Sequence, residues 1–480
     1  MHKLAVVLIA VACVACHCAL AADPSPSPAK ADGASSESSP ISLHPENPHY
    51  LLFRNRPTVL ITSGEHYGAV LNLDFEYIKY LDELKARGFN LTRTFSGSYH
   101  ELPNSFGIVN NTLAPAAEWF IGPWPRSDKP GAGDGRNKYD LNAWDEAYFR
   151  RLKDFVREAG KRGIVVELVL FCTIYDDKLW AIHPFNPANN VQKIGTASRL
   201  DVYTLKDKRL QEVQEKMAER IVKELRDFDN VYYEICNEPY FGGITVEWNG
   251  RMAKVIAAGE PPGRRHLIAE NIANGSAKVK DPNEHVSILN FHYAAPPDAI
   301  AANAKLGRAT ADDETGFKGK GDFVYRAEGW NFLLAGGAIY DNLDYSFTPH
   351  HPDGSAEVTT SPGGGGANLR KQLTILKSFV EGLDFIHMTP DQRVVAGGVP
   401  EKATARALVK PGEAYAVYLH GGNHADLILE LPAGRYAVEW VNTKTGQIDK
   451  VARLEHPGGK ATLTSPDYSE DIALRVLAAK

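Results

Sequence analysis

From Pro57 onward the chain alternates short apolar runs with longer stretches in which apolar residues recur every three or four positions. The runs are 58–62, 89–95, 164–171, 231–236, 266–270, 286–291, 309–313 and 338–343. Several are apolar almost throughout. That fits strands covered on both faces, as in a parallel sheet, better than the alternation of a half-exposed strand. The stretches between them predict helices. Asp74 can cap one that places Ile78, Leu81 and Leu84 on one face and stops at Gly88. A second starts near Asn142, carries Phe149, Leu152, Phe155, Val156 and Ala159, and ends at Gly163. A third, from Asp207 to Phe228, spaces Val213, Met217, Ile221 and Leu225 four apart. Two more cover 323–334 and 367–381. Eight strands joined by helices over roughly 300 residues predict an α/β fold, a (β/α)8 TIM barrel rather than an open sheet.

After Pro390 the pattern changes. Short strands at 405–409, 414–419, 427–431, 436–440, 461–464 and 472–477 are separated by Gly, Pro, Asn and Asp, which predicts a small all-β sandwich. Tyr436, Val438 and Trp440 alternate along one strand and so share a face, read as inward core. The barrel is expected over 45–388 and the sandwich over 389–480.

The first 21 residues do not fit this scheme. Lys3 precedes an apolar run, Leu4 to Ala15, too short to cross a bilayer, and Ala19-Leu20-Ala21 suits a small-residue cleavage site. These features predict a signal peptide and a secreted protein, extracellular or periplasmic. Cys13 and Cys16 sit in poor lipobox contexts, so a lipid anchor is disfavoured. Residues 22–44, rich in Pro, Ser and Ala, read as a disordered linker. Cleavage would leave Cys172 and Cys236, near the ends of neighbouring strands, as a bridge or as two buried thiols.

Composition adds mainly exclusions. The 480 residues are 44% hydrophobic and 23% charged, with a net charge of -6 and no basic block for nucleic acid or an anionic membrane. No paired His with a carboxylate at zinc spacing is present, and neither metal nor cofactor is expected.

In an eight-stranded barrel, reactive groups sit at the C-terminal ends of strands. The fourth run ends Asn237-Glu238-Pro239, and the seventh ends Asp312-Asp313-Glu314-Thr315-Gly316. Two carboxylates on separate strands can face each other across the barrel mouth, as glycoside cleavage requires. Asp312, Asp313, Glu328 and Glu270 compete with Glu314. Glu328 falls in a helical pattern with Phe323, Ala327, Trp330 and Leu334, so Trp330 reads as core.

Asn-Glu-Pro after strand four, with Glu-Thr-Gly after strand seven, resembles glycoside hydrolase clan A, which includes the family 5 cellulases. The resemblance covers the whole barrel. It implies that Glu238 is the acid/base and Glu314 the nucleophile of a retaining hydrolase acting on β-glycosidic bonds of a poly- or oligosaccharide. It also implies that Arg93 steadies the nucleophile, that Asn237 binds the sugar 2-hydroxyl, and that His292 and Tyr293 touch the nucleophile. The stretch Gly64-Glu65-His66-Tyr67, after strand one, is polar enough to line the first sugar subsite, with Glu65 and His66 as its candidates. Trp180, in a long loop, is a candidate stacking residue, as are Trp119 and Trp124. Many clan members carry a tryptophan at the end of strand eight. Here Tyr345 is the nearest aromatic to that place. The C-terminal region resembles the sandwich, of the type labelled collagen-binding, that follows the barrel in many bacterial glycosidases. A non-catalytic carbohydrate-binding protein on the same scaffold is the alternative, and endo and exo action both stay open.

Overall fold

Seven strands of one eight-stranded sheet are buried at every position, which is why several of them read as largely apolar runs. The strands are β1 (Leu60–Gly64), β2 (Leu91–Phe95), β3 (Val165–Cys172), β4 (Val231–Asn237), β5 (Ile268–Asn274), β6 (Ile288–His292), β7 (Ala309–Thr315) and β8 (Ile339–Leu343). The computed structural model describes residues 39–479. The signal peptide and residues 22–38 of the linker lie outside the described residues.

Each strand pairs in parallel with the next, in the order β1-β8-β7-β6-β5-β4-β3-β2. Between β1 and β2 the Asn90 side chain substitutes for a ladder. Its Oδ1 accepts from the Ile61 N–H at 3.0 Å and its Nδ2 donates to the Val59 carbonyl at 2.8 Å. The sheet is a TIM-like barrel, with helices α1 (Tyr77–Ala86), α2 (Glu146–Lys161), α3 (Lys208–Leu225), α4 (Val246–Gly259), α5 (Asp298–Asn303), α6 (Asp322–Leu334) and α7 (Ala367–Glu381) between strands and after β8.

Several local expectations shift. α1 starts behind Glu76 without a capping side chain, because Asn72 organises the preceding turn by accepting from the Asp74 N–H. α2 is capped by Asp145, not Asn142: its carboxylate accepts from the Ala147 and Tyr148 N–H groups. The linker expected to reach residue 44 is already packed at Ile41, and Ser42–Leu43 pairs with Leu51–Phe53 in a three-stranded sheet ahead of the barrel. α4, α5 and a short helix at Asp177–Ile182 lie where no helix was expected.

The C-terminal strands form a six-stranded and a three-stranded antiparallel sheet. Tyr436, Val438 and Trp440 are buried in the core between them. The larger sheet also packs on the barrel. Trp330 of α6 stacks on Tyr418 at 5.4 Å, and Arg326 pairs with the buried Asp471. Cys172 and Cys236 are both free and buried.

Candidate active site

Inside the barrel, a polar layer lies beneath the C-terminal rim. Arg93 of β2 is wholly buried among carboxylates. Its Nη2 donates to Glu234 at 2.9 Å and Asn237 at 2.7 Å, Nη1 reaches Glu314 at 3.3 Å, and Nε lies 3.4 Å from Asp313 and 4.0 Å from Glu167. Asn290 donates to Glu167, Glu234 and Asp313. So many negative groups cannot all ionise in a dry interior. Burial pushes Glu234 up to about 7 against the pull of Arg93, and burial with the charges of Asp313 and Glu234 raises Glu167 well above the carboxylate range. Asp313 goes the other way: the Arg93 and His292 charges outweigh its burial and lower it.

Above this layer stand Glu238 and Glu314. An oxygen of each and a nitrogen of His292 all lie within 4.8 Å of one another. Glu314 is held by three donors: Tyr293 Oη to Oε1 at 2.6 Å, Tyr67 Oη to Oε2 at 3.0 Å, and Arg93. Glu238 accepts from the Tyr175 hydroxyl and from His292 Nδ1 at 3.3 Å. His292 Nδ1 is 3.7 Å from Glu314, and its Nε2 is 3.3 Å from Asp313. Both ring nitrogens of His292 thus face carboxylates, an arrangement that favours its charged form. Burial would lower its pKa, but the charges of Glu314, Asp313 and Glu238 raise it well above the usual histidine value.

This placement reverses one inference that follows from two facing carboxylates. Like charge alone would raise Glu238 and leave it protonated. Burial does push it up, but the hydrogen bond and charge of His292, with hydrogen bonds from Tyr175 and Asn274, outweigh that and lower it. His292 Nδ1 therefore stands within hydrogen-bond reach of the Glu238 carboxyl and favours its ionised form.

Three neighbouring pairs place these groups: His66-Tyr67, Asn237-Glu238 and His292-Tyr293. In an extended strand adjacent side chains point to opposite faces. Here the second member of each pair is left-handed, with φ of 57° at Tyr67, 47° at Glu238 and 54° at Tyr293. That turn brings Tyr67, Glu238 and Tyr293 to the barrel mouth. It costs on the order of 1–3 kcal/mol at each non-glycine residue, strain of the kind that collects at functional sites.

A cavity of about 490 Å³ opens over the carboxylates, lined in part by His66, Asn237 and Tyr293. Glu65 does not reach it. Its oxygens accept from the Gly68 and Ala69 N–H groups and the Thr112 hydroxyl, so it ties the β1 loop to the loop after β2. Trp180 is also away from the cavity, buried beside His183, and Trp124 packs on Phe185 and Trp144. Both fix the loops over the barrel. Tyr345 stands one ring behind the wall, edge-on to the lining residue Phe317 at 6.1 Å.

The rivals of Glu314 are otherwise engaged. Asp312 accepts from the Ala294 N–H, Glu270 from Asn249, and Glu328, on α6, pairs with Lys318 of the preceding loop. Sequence reasoning missed Tyr175, Asn274 and Glu101; Tyr67 fell within the stretch expected to line the first sugar subsite, but its hydrogen bond to Glu314 was not foreseen. Asn274 had a signal, since it ends β5, but its Asn-Gly-Ser context reads first as a glycosylation sequon. Glu167, Glu234 and Asp313 form a second cluster with metal-like spacing, and the Arg93 guanidinium already supplies its positive charge.

The family model for Cellulase (glycosyl hydrolase family 5) matches residues 77–322. Among solved structures, a glycoside hydrolase family 5 protein from Bacteroides vulgatus ATCC 8482 is 14% identical. It covers 92% of this chain and 93% of its own, with a TM-score of 0.64. A second protein from that bacterium, described as a candidate glycoside hydrolase, is 15% identical over 93% of this chain and 84% of its own, with a TM-score of 0.66. A third structure, a glycoside hydrolase, is 16% identical over 92% and 98%, with a TM-score of 0.62. At these identities the likeness speaks to the fold alone. No curated protein sequence matches the chain.

Proposed function

The chain belongs to glycosyl hydrolase family 5, and from that premise we propose that it cleaves β-glycosidic bonds of a poly- or oligosaccharide with retention, using Glu314 as nucleophile and Glu238 as acid/base. One observation carries this reading: an oxygen of Glu238 and one of Glu314 lie within 4.8 Å. Retaining enzymes hold their carboxyl groups about 5–5.5 Å apart, while inverting enzymes leave about 6.5–9.5 Å for a water.

In the first step Glu314 attacks the anomeric carbon while the leaving oxygen takes a proton from Glu238. That proton is supplied by the His292–Glu238 pair: as Glu314 loses its charge in forming the ester, the strongest influence holding the proton on His292 disappears. In the second step Glu238 takes a proton from water, which attacks the anomeric carbon and releases Glu314. Tyr67, Tyr293 and Arg93 then stabilise the departing carboxylate. The Asn237 amide now donates to Tyr175 Oη at 2.9 Å, and a sugar 2-hydroxyl would take over that bond.

The N-terminal apolar run supports export, with the substrate met outside the cytoplasm. Among the described residues no helix is long and apolar enough to cross a membrane. Proton NMR of hydrolysis of a 4-nitrophenyl β-glycoside tests the reading. The first product should be the β-anomer, and an α-anomer formed first would replace retention by inversion.

A further inference from the structure

One buried carboxylate in the cavity has no part in bond cleavage. Resting on the proposed glycosidase activity, we infer that Glu101 and His66 bind hydroxyl groups of the sugar next to the nucleophile.

Glu101 is 4% exposed and lines the cavity with His66. His66 Nε2 lies 3.6 Å from Glu101 Oε2, and neither buried ring nitrogen of His66 has a hydrogen-bond partner. Leaving such a group unpaired is costly, so a ligand that pairs it gains affinity. Glu101 Oε2 accepts from Asn111 Nδ2 at 2.5 Å, but Oε1 has only a long contact with Tyr99 Oη at 3.4 Å. A carboxylate offers about four acceptor positions, so Glu101 has room for more donors. A sugar hydroxyl is both donor and acceptor, and one placed here could donate to Glu101 and accept from the His66 N–H.

Contacts locate the pair relative to the chemistry. The His66 ring stacks on Tyr67 at 5.1 Å, and Tyr67 donates to the nucleophile. On the other side, Tyr99 reaches Glu101 and packs near Tyr175, which donates to Glu238. The wall between is rigid. The Glu101 N–H donates to the Leu113 carbonyl at 2.9 Å, and Leu113 N–H to Asn111 Oδ1 at 2.8 Å. Thr112 is tied to Glu65 and lies so close to Gly68 that a Cβ there would stand 2.1 Å from its carbonyl. A wall fixed before binding discriminates well because little ordering remains to be done.

The test uses full-length enzyme and 4-nitrophenyl β-glycosides of glucose, mannose, galactose and xylose, with the monodeoxy analogues of the best substrate. Glu101→Gln keeps the shape and removes the charge, and His66→Phe keeps the stack on Tyr67. Thermal melts establish that both fold. In each variant kcat/KM on the parent glycoside should fall about 10- to 100-fold, the range of a hydrogen bond to a charged group. At least one deoxy analogue should cost the wild type a similar factor and cost Glu101→Gln no more. A loss below about threefold, less than one such bond, would overturn the inference. So would losses that simply multiply between variant and analogue. If wild type hydrolyses no glycoside, the activity reading fails. Saturation-transfer NMR with the free monosaccharides, whose signal Glu101→Gln should abolish, then still decides the inference.

Discussion

Tyr293→Phe removes one hydroxyl and should separate the two chemical steps. Tyr293 Oη donates to Glu314 Oε1 at 2.6 Å, and the other near neighbour of that oxygen is His292 at 3.7 Å. Hydrogen bonds to a charged group contribute about 1.5–3 kcal/mol, a factor of roughly 10 to 150. In the first step Glu314 gives up its charge, so a donor to it stabilises the starting state and losing that donor does little harm. In the second step Glu314 regains its charge as it leaves the sugar, and the same bond stabilises the transition state. The variant should therefore lose about 10- to 100-fold in kcat, with a much smaller change in kcat/KM on a dinitrophenyl glycoside. KM should fall as the intermediate accumulates. Tyr67→Phe should follow the same pattern more weakly, because Arg93 also serves the oxygen it contacts. The assay is stopped-flow release of dinitrophenolate, which should show a burst of one equivalent in Tyr293→Phe. Equal losses in kcat and kcat/KM without a burst would refute the reasoning.

Glu238→Ala should lose about 100- to 10,000-fold on a natural oligosaccharide, the usual range for a general acid. The first step on a dinitrophenyl glycoside should survive far better, with azide restoring turnover, and equal losses on both substrates would argue against Glu238 as the acid. His292→Gln removes the cation whose raised pKa keeps the acid pair protonated, so the alkaline limb of the kcat/KM profile should move to lower pH. An unmoved limb would count against the shared proton. Stability should also depend on pH. Burial raises Glu65 and Glu234 to about 7 from 4.5, so between these values the unfolded chain has lost protons that the folded chain keeps. Stability is then greatest below about 4.5 with respect to these groups and falls as pH rises through about 7. Glu234→Gln, which imitates the protonated acid, should flatten the decline in Tm across this window, and an unchanged slope would remove Glu234 from the account.

The barrel was legible because parallel strands buried on both faces must be apolar along their length, as β3 is. Strands of weaker pattern escaped notice. Ile448–His456 forms an edge of the larger C-terminal sheet, is mostly exposed, and carries Asp449, Lys450, Arg453 and Glu455 among its few apolar residues. α4 escaped because Asn249, Gly250 and Arg251 interrupt its apolar spacing. At the site, Glu238 and Glu314 could be placed because strand ends converge on the barrel mouth, and Arg93 and His292 through the family resemblance. Glu101 and Tyr175 sit on loops, whose path depends on long-range bonds such as that of Glu65 with Thr112. Left-handed turns added a further obstacle: nothing in the alternation of a strand tells that the adjacent His292 and Tyr293 both reach the carboxylates at the mouth, His292 bonding Glu238 and Tyr293 bonding Glu314.

The central claim, a covalent intermediate on Glu314, is tested most directly by trapping it. A 2-deoxy-2-fluoro-β-glycosyl fluoride of the preferred sugar destabilises the charged transition states and slows the second step enough for the ester to accumulate. Intact-protein mass spectrometry should show one added glycosyl unit, and peptide mapping should place it on Glu314. Stable labelling of any other residue, or an active enzyme that never becomes labelled, would contradict the account.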